Sequence, residues 1–213
     1  MTIEIKKPRL IVCEGKADVA FFEHLITERD LPEFQVLPAN GNSRYEDILV
    51  ALTAAPGFSG LSGILVVGDN DRNPATAFQN IRAQIQAAGG YGVPNALRVP
   101  ARNASFPPIV VLMVPWDDTV GCLETLLLEA VRTVNPELGM CVDAYATCAH
   151  IDAWNEIERS KMKLQSLTSV ICRSDPTTPV SFAWSRPEAI ISLAQPCFNQ
   201  IVDFLRAFRA LLV

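Results

Sequence analysis

Acidic residues follow two of the apolar segments near the start of the chain, at a spacing that suits metal binding. Glu14 directly follows the apolar run 9–13, and Asp69 and Asp71 come just after the apolar run 62–67. Carboxylate oxygens are the ligands that Mg²⁺ and Mn²⁺ prefer in proteins. Carboxylates held close together raise one another's pKa unless a cation offsets their charge. The pattern therefore predicts a divalent-metal site, provided that the fold brings the two runs side by side.

The elements that must position these acids can be predicted from hydrophobic periodicity. Strands are predicted at 9–13, 34–37, 62–67 and 109–114, with a further short strand at 97–100, and helices at 17–29, 45–54 and 75–88. This alternation predicts an α/β fold, a mostly parallel sheet with helices on both faces. In such sheets ligands bind at the carboxyl ends of the strands. Glu14 and the Asp-x-Asp pair lie at that edge if the first and third strands are neighbours.

The second half of the chain has a different pattern. Helical spacing predicts helices at 120–134, 152–167 and 197–212. We therefore expect an α/β core over residues 1–115 and a helical C-terminal extension over residues 116–213. The last helix carries an apolar stripe, which we expect to dock on the sheet or on a second subunit. A homodimer through the C-terminal helix is thus one expectation.

Composition and charge exclude several classes of protein. The 213 residues are 49% hydrophobic and 19% charged, which is incompatible with a disordered chain. The net charge of -5 excludes a protein that coats DNA by electrostatics alone, although bound divalent metals can reverse the sign of an acidic site. The longest clean apolar run, 109–114, is far too short to span a membrane, and the N-terminus does not have a signal-peptide pattern.

The six cysteines are scattered and form no CxxC pair. This usage is typical of free thiols, and we expect a cytoplasmic location. Cys141, Cys148 and His150 are close in sequence, but their spacing matches no standard zinc pattern. We interpret them as small core residues rather than as ligands.

Two segments resemble the motifs of TOPRIM domains. The segment 10–22, with Glu14 and Gly15, resembles the first TOPRIM motif, and 64–71 resembles the DxD motif. Gly41 matches a glycine that often follows the second strand of these domains. The resemblance covers about residues 8–115. It implies a TOPRIM-like (Rossmann-like) sheet with magnesium-dependent phosphoryl or phosphodiester chemistry.

Among TOPRIM proteins, the chain is most similar to the OLD-like nuclease branch and to small stand-alone bacterial proteins of that type. These proteins resemble it in an acid at the position of Asp18, in a later acid and in a downstream lysine. Glu124 is the candidate for the later acid, and Lys161 or Lys163 for the lysine. OLD-type nucleases carry an ATPase domain. No Walker A motif occurs in this sequence, so we expect any ATPase to be a separate partner protein.

The resemblance implies a role for each matched residue. The expected ligands of Mg²⁺ or Mn²⁺ are five carboxylates: Glu14, Asp18, Asp69, Asp71 and Glu124. Glu14 would also serve as a general acid or base, and Lys161 or Lys163 would stabilise charge on a phosphate. From the residues themselves, Gly15 and Gly68 are expected to let the backbone turn tightly beside the acids.

Several alternatives stay open at this point. Asp18 and Glu124 are also typical of first-turn acids, which the helix dipole favours. Asp117 and Asp118 fit helix caps better than ligands. Arg72 could bind a phosphate or pair with Asp69.

Three functions compete. The first is a Mg²⁺- or Mn²⁺-dependent nuclease or phosphodiester hydrolase acting on nucleic acid. The second is a catalytically silent TOPRIM-like binding or regulatory module that works with a partner protein. The third is a phospho-acceptor receiver domain, but receivers place the paired acids after the first strand and the single acid after the third. Here that order is reversed, because the single Glu14 comes first.

Overall fold

The computed structural model describes residues 3–116, 119–185 and 191–212. Within these ranges the chain forms five β-strands and seven α-helices. The strands are β1 (Arg9–Cys13), β2 (Gln35–Pro38), β3 (Gly63–Asp69), β4 (Ala101–Asn103) and β5 (Phe106–Val114). The helices are α1 (Lys16–Glu28), α2 (Tyr45–Thr53), α3 (Pro74–Ala88), α4 (Leu123–Val134), α5 (Pro136–Cys148), α6 (Glu156–Ile171) and α7 (Asn199–Leu211).

The strands form one sheet in the order β2-β1-β3-β5-β4. The first four strands of this order are parallel, and β4 pairs antiparallel with β5 at the edge. Val12 of β1 lies opposite Val66 of β3, so the first and third strands are neighbours, as the acid pattern required. The predicted α/β class with a mostly parallel sheet is confirmed, and the architecture is Rossmann-like.

Helices cover both faces of the sheet because successive side chains of a buried strand point to opposite sides. Leu10 and Val12 of β1 pack in one apolar cluster with residues of α2 and α3. Ile11 and Cys13 pack in a second cluster with residues of α1, α4, α6 and α7. Strands that are buried on both faces read as continuous apolar runs, which explains why β1, β3 and β5 could be predicted from the sequence.

The short strand predicted at 97–100 is wrong. Arg98 has a positive φ of 62°, which breaks an extended segment at this point. Its backbone N–H still donates a hydrogen bond to the Val111 carbonyl, at 2.8 Å. Ladder pairing with β5 begins at Ala101, opposite Ile109.

The helices of the second half start later than predicted, and one was missed. α4 begins at Leu123 rather than at 120, and α6 begins at Glu156 rather than at 152, after the N-cap Asn155. Helix α5 was not predicted because its buried face consists of small residues, Gly139, Val142 and Ala146. Cys141 and Cys148 lie on the opposite, exposed side of α5, so their interpretation as core residues is wrong.

The apolar stripe of α7 packs within the chain itself. Ile201, Leu205 and Phe208 are buried in the same cluster as the side chains of β1 and α1. Of the two partners expected for this stripe, the sheet side of the protein's own core is therefore the one observed. Among the described residues, no helix combines the length and the apolar character needed to cross a membrane.

Candidate metal centre

Glu14 is the first residue after β1, and the loop after β2 holds its backbone. The Glu14 carbonyl accepts a hydrogen bond from the Gly41 N–H at 3.0 Å, and the Cys13 carbonyl accepts one from the Ala39 N–H at 2.7 Å. Gly41 has a φ of +134°, a conformation that L side chains rarely adopt. The glycine matched from the sequence therefore shapes the loop that fixes Glu14.

Asp18 lies in the first turn of α1 and faces back towards Glu14. Its carboxylate accepts a hydrogen bond from the Gly15 N–H at 3.0 Å, as in a capping box. Gly15 itself has an extended backbone, with φ -142°, and a Cβ there would lie 3.6 Å from the Asp18 carboxylate. This is ordinary contact, so the tight turn expected at Gly15 is wrong.

Asp69 is the last residue of β3, and its carboxylate contacts the start of α4. Its Oδ1 accepts a hydrogen bond from the Leu123 N–H at 3.0 Å. This contact brings the two neighbours of Leu123 to the site. Ligand atoms of Asp69, Cys122 and Glu124 all lie within 4.8 Å of one another. Glu124, predicted as the later acid, is thus placed beside the acid at the end of β3.

Asp71 is held by a backbone contact to the loop that precedes α4. It has a positive φ of 50°, which is uncommon for a residue other than glycine and recurs at functional sites. Its carbonyl accepts a hydrogen bond from the Gly121 N–H at 3.0 Å. Gly121 has a φ of +146°, and a Cβ there would lie 2.9 Å from Thr125 Oγ1. The sequence analysis missed this glycine, although it lies three residues before Glu124.

Asn70, between the two aspartates, is fully buried and fixes the same loop from the other side. Its Nδ2 donates hydrogen bonds to the Pro115 carbonyl at 2.7 Å and to the Thr119 carbonyl at 2.8 Å. The middle residue of the Asp-x-Asp pattern thus ties β3 to the segment that follows β5. Asp117 and Asp118, interpreted as helix caps, lie outside the described residues.

Gly68 does not make the tight turn expected of it. It lies within β3, and a Cβ there would come within 2.4 Å of Ile81 Cδ1 on α3. The glycine is therefore needed for close packing of α3 on the strand. Met113 of β5 also approaches this position, at 3.6 Å.

Burial and mutual repulsion raise the pKa values of Glu14, Asp18 and Asp69. Burial, and next the charge of Asp18, raise the pKa of Glu14 to about 6. Burial is also the main cause that raises the pKa of Asp18 to about 6, and Glu124 adds to the shift. The pKa of Asp69 lies well above its ordinary value for the same two reasons, burial and the neighbouring acids. The acids therefore form one coupled group.

Of the two candidate lysines, Lys161 of α6 is the one whose charge affects the pKa values of these acids. Its positive charge lowers the pKa of Glu14, Asp18 and Asp69, against the larger effect of burial. Burial alone would lower the pKa of Lys161 itself, but Glu124 and Asp69 outweigh it and the pKa is raised. Lys161 therefore stays charged among the carboxylates.

Lys163, the other candidate lysine, lies elsewhere. Its Nζ is 2.8 Å from Asp143 Oδ1 on α5, and the same carboxylate pairs with Arg132 of α4 at 2.9 Å. Two positions along a helix correspond to a rotation of about 200°, so Lys161 and Lys163 point to opposite sides of α6. The structure brings Lys161, and not Lys163, to the acid group.

The donor set fits a hard divalent cation. The acids supply carboxylate oxygens from three separate segments of the chain, and Mg²⁺ and Mn²⁺ favour such oxygens. Cys122 was not predicted at the site, although it lies between Gly121 and Glu124 in the sequence. Burial, and next the charge of Glu124, raise the pKa of the Cys122 thiol well above its ordinary value. Sulfur is a soft ligand, and Mg²⁺ and Mn²⁺ favour the harder carboxylate oxygens beside it.

The site opens onto two surface clefts. The first has a volume of about 300 Å³ and includes Glu14, Asp69 and Asp71 in its lining. The second has a volume of about 530 Å³ and includes Asp71, Arg72 and Lys161. Arg72 lines the second cleft beside Asp71, and Asp69 lines the first. Glu14, Asp69 and Asp71 are therefore accessible to a ligand from solvent.

Fold and site together define a Rossmann-like α/β protein with a half-buried group of carboxylates at the carboxyl ends of β1 and β3. The chain belongs to the DUF3226 family, which is described as a protein family of unknown function and which matches residues 8–210. The match covers the sheet and the C-terminal helices alike. No curated protein and no solved structure matches the chain.

Proposed function

We propose that this protein is a Mg²⁺- or Mn²⁺-dependent hydrolase of phosphodiester bonds in nucleic acid, built on a TOPRIM-like domain of the OLD-like type. One observation carries the proposal. Glu14, Asp18 and Asp69 are half-buried, repel one another and have raised pKa values, and the positive charge of Lys161 acts on all three. Buried like charges are costly to fold unless a cation offsets them, and a bound divalent metal would do so.

Each residue of the group has a role in this proposal. Asp69, Asp71 and Glu124 would hold the metal, with Glu14 and Asp18 completing its surroundings. A metal bound there supplies a Lewis acid that polarises phosphoryl oxygens and lowers the pKa of water.

Two residues would act on the reacting groups directly. Without metal the pKa of Glu14 is about 6, so its carboxyl can take up and release a proton near neutral pH, as a general acid or base must. Lys161 would stabilise the negative charge that develops on the phosphate.

The alternative, a catalytically silent module that works with a partner such as a separate ATPase, is favoured by a different observation. Asp18 accepts a hydrogen bond from the Gly15 N–H at the start of α1, and Asp69 accepts one from the Leu123 N–H at the start of α4. Carboxylates in such positions stabilise helix starts without any metal. Metal binding therefore separates the two functions.

The test compares the wild type with Asp71→Asn and with Asp47→Asn, a control acid that pairs with Arg44 on the exposed surface of α2. Supercoiled DNA, linear DNA and RNA are incubated with Mg²⁺ or Mn²⁺, and metal binding is measured by calorimetry. We expect metal-dependent cleavage that Asp71→Asn reduces about a hundredfold or more and Asp47→Asn leaves unchanged.

Two results would contradict the proposal. Equal cleavage by the wild type and Asp71→Asn would place the activity outside this site. Metal affinity that is undetectable, or unchanged by Asp71→Asn, would favour the silent module.

A further inference from the structure

The two clefts at the acid group form one groove along α3. Asp71, Ala77 and Asn80 line both clefts, so the volumes of about 300 Å³ and about 530 Å³ are adjoining parts of a single depression. Its far ends are the loop at Asn42 and the start of α6 at Asn155. The groove is therefore much longer than the acid group itself.

Asp71 lies at the junction of the two parts, because it lines both of them. Glu14 and Asp69 line the first part, and Lys161 lines the second. A phosphate held beside Asp71 would thus have groove on both of its sides. Such a site suits a phosphodiester inside a chain, with a nucleotide on each side of the reacting bond.

The charge of the groove does not suit a duplex. Among the described residues that line it, Arg72 and Lys161 are the cations, whereas the acids are Glu14, Asp69, Asp71 and Glu158. Proteins that bind duplex backbones use many lysine and arginine contacts to phosphates. Two cations supply few such contacts, so recognition in this groove must depend mainly on its other groups.

Neutral polar groups line the first part instead. Asn42, Ser43 and Asn80 surround it, above the apolar side chains of Ala77 and Ile81. Gln84 holds the loop at Asn42 against α2, because its Oε1 accepts a hydrogen bond from the Tyr45 N–H and its Nε2 donates one to the Asn42 carbonyl.

Amide side chains match the chemistry of an unpaired base. Each offers a donor and an acceptor, which is the pattern of a base edge. Base edges of this kind are available in single strands but are paired inside a duplex. A volume of about 300 Å³ is at the lower end of the range for small-molecule sites, which suits one nucleoside-sized group.

We propose that the groove binds a single strand of nucleic acid, with one unpaired base in the amide-lined part beside Asn42 and Asn80 and the neighbouring phosphate at the acids. This inference rests on the proposed function, since it assigns the substrate class of the same site.

The test measures binding of a short, fluorescently labelled oligodeoxynucleotide of mixed sequence, an RNA of the same sequence and the matching duplex. Ca²⁺ replaces Mg²⁺, because it also binds carboxylate oxygens. Asn80→Trp should fill the junction of the two clefts, and Asn80 is exposed on α3, so the fold should tolerate the change. Gln86→Trp is the matched control, an exposed residue of the same helix that lines neither cleft.

We expect a single strand, whether DNA or RNA, to bind about tenfold or more tightly than the duplex, a difference that one or two well-made base contacts would provide. Asn80→Trp should weaken this binding about tenfold or more, whereas Gln86→Trp should leave it unchanged. Duplex binding as tight as single-strand binding, or an unchanged affinity in Asn80→Trp, would overturn the inference.

Metal binding distinguishes the two proposals. If the wild type binds Mn²⁺ and Asp71→Asn does not, but no strand binds, the groove inference is wrong and the metal site stands. If neither metal nor strand binds, both are wrong.

Discussion

Helix α6 contributes one lysine to each of two charged groups, and these groups differ in their ratio of cations to acids. On one side, Lys163 and Arg132 of α4 both pair with Asp143 of α5, so two cations surround one acid. On the other side, Lys161 lies close to several half-buried acids, so the negative charges are in excess. The single acid of the first group has two cationic partners, whereas the acids of the second group share Lys161.

The two groups shift carboxyl pKa values in opposite directions. Slight burial favours a raised pKa for Asp143, but the hydrogen bonds from Lys163 and Arg132 outweigh it and lower the pKa. Burial and neighbouring acids raise the pKa of Glu14 and of Asp18 to about 6. An acid that is paired with cations stabilises the fold near neutral pH, whereas a group with an excess of acids costs stability there. Costly groups of this kind are typical of functional sites.

The largest effect that we expect is a pH dependence of stability in the metal-free protein. Asp18 has an ordinary pKa of 3.8 and a folded-state pKa of about 6. A raised pKa favours folding fully below the ordinary value, and this contribution is lost as the pH rises through about 6. The shift corresponds to a free energy of unfolding on the order of 3 kcal/mol. Mg²⁺ or Mn²⁺ should restore that stability at neutral pH.

Urea unfolding of the wild type and of Asp18→Asn, with and without Mn²⁺ at several pH values, measures this effect. Asparagine keeps the hydrogen-bond acceptor for the Gly15 N–H but removes the charge. The variant should therefore be the more stable protein at neutral pH without metal. Equal stability of the two proteins from acid to neutral pH would show that the acid group carries no excess charge.

The second effect sharpens the contrast between the two lysines. If the protein is the hydrolase proposed above, Lys161→Gln should reduce cleavage about tenfold or more, because it removes the charge facing the phosphate. Lys161→Arg should retain part of the activity. Lys163→Gln is the matched control and should leave cleavage unchanged, since Lys163 pairs with Asp143. Equal losses of cleavage activity in Lys161→Gln and Lys163→Gln would contradict the separate roles that we assign to the two lysines.

The smallest effect concerns the group around Asp143. Asp143→Asn should lower the free energy of unfolding by about 0.5 to 1 kcal/mol, since its ion pairs are partly exposed to solvent. The lowered pKa means that this contribution is present above pH 3.8 and is lost as the pH falls through the folded-state value. Unfolding at low and high salt checks it, because salt screens exposed pairs. A decrease of about 3 kcal/mol or more in the free energy of unfolding would contradict this prediction, because it is typical of a buried ion pair.

Much of the fold could be predicted because its signals are local. β1, β3 and β5 are apolar runs bounded by turn residues, and α1 to α3 have clear helical periodicity. β4 and α5 lacked such signals. β4 has three residues and is defined by its pairing with β5. In α5, Gly139 packs close to Arg132 of α4, where a Cβ would lie 2.8 Å from Arg132 Cγ.

The role of Gly68 shows the same limit within the site. The sequence places a glycine beside an acid, which is typical of a turn. The contact that requires it comes from Ile81, thirteen positions later in the chain and on another element. Side-chain packing between distant segments leaves no local pattern in the sequence. The sequence analysis therefore selected Gly68 correctly but explained it wrongly, as a turn residue.

The sequence by itself determined the position of Glu14, Asp69 and Asp71 at strand ends, because strand boundaries follow from local apolar runs and turn residues. Only the tertiary structure decided that Cys122 and Glu124 reach Asp69 and that Lys161, rather than Lys163, faces the acids. Those placements depend on the rotation of α4 and α6 about their own axes. That rotation is set by many long-range apolar contacts together, and no short stretch of sequence encodes it.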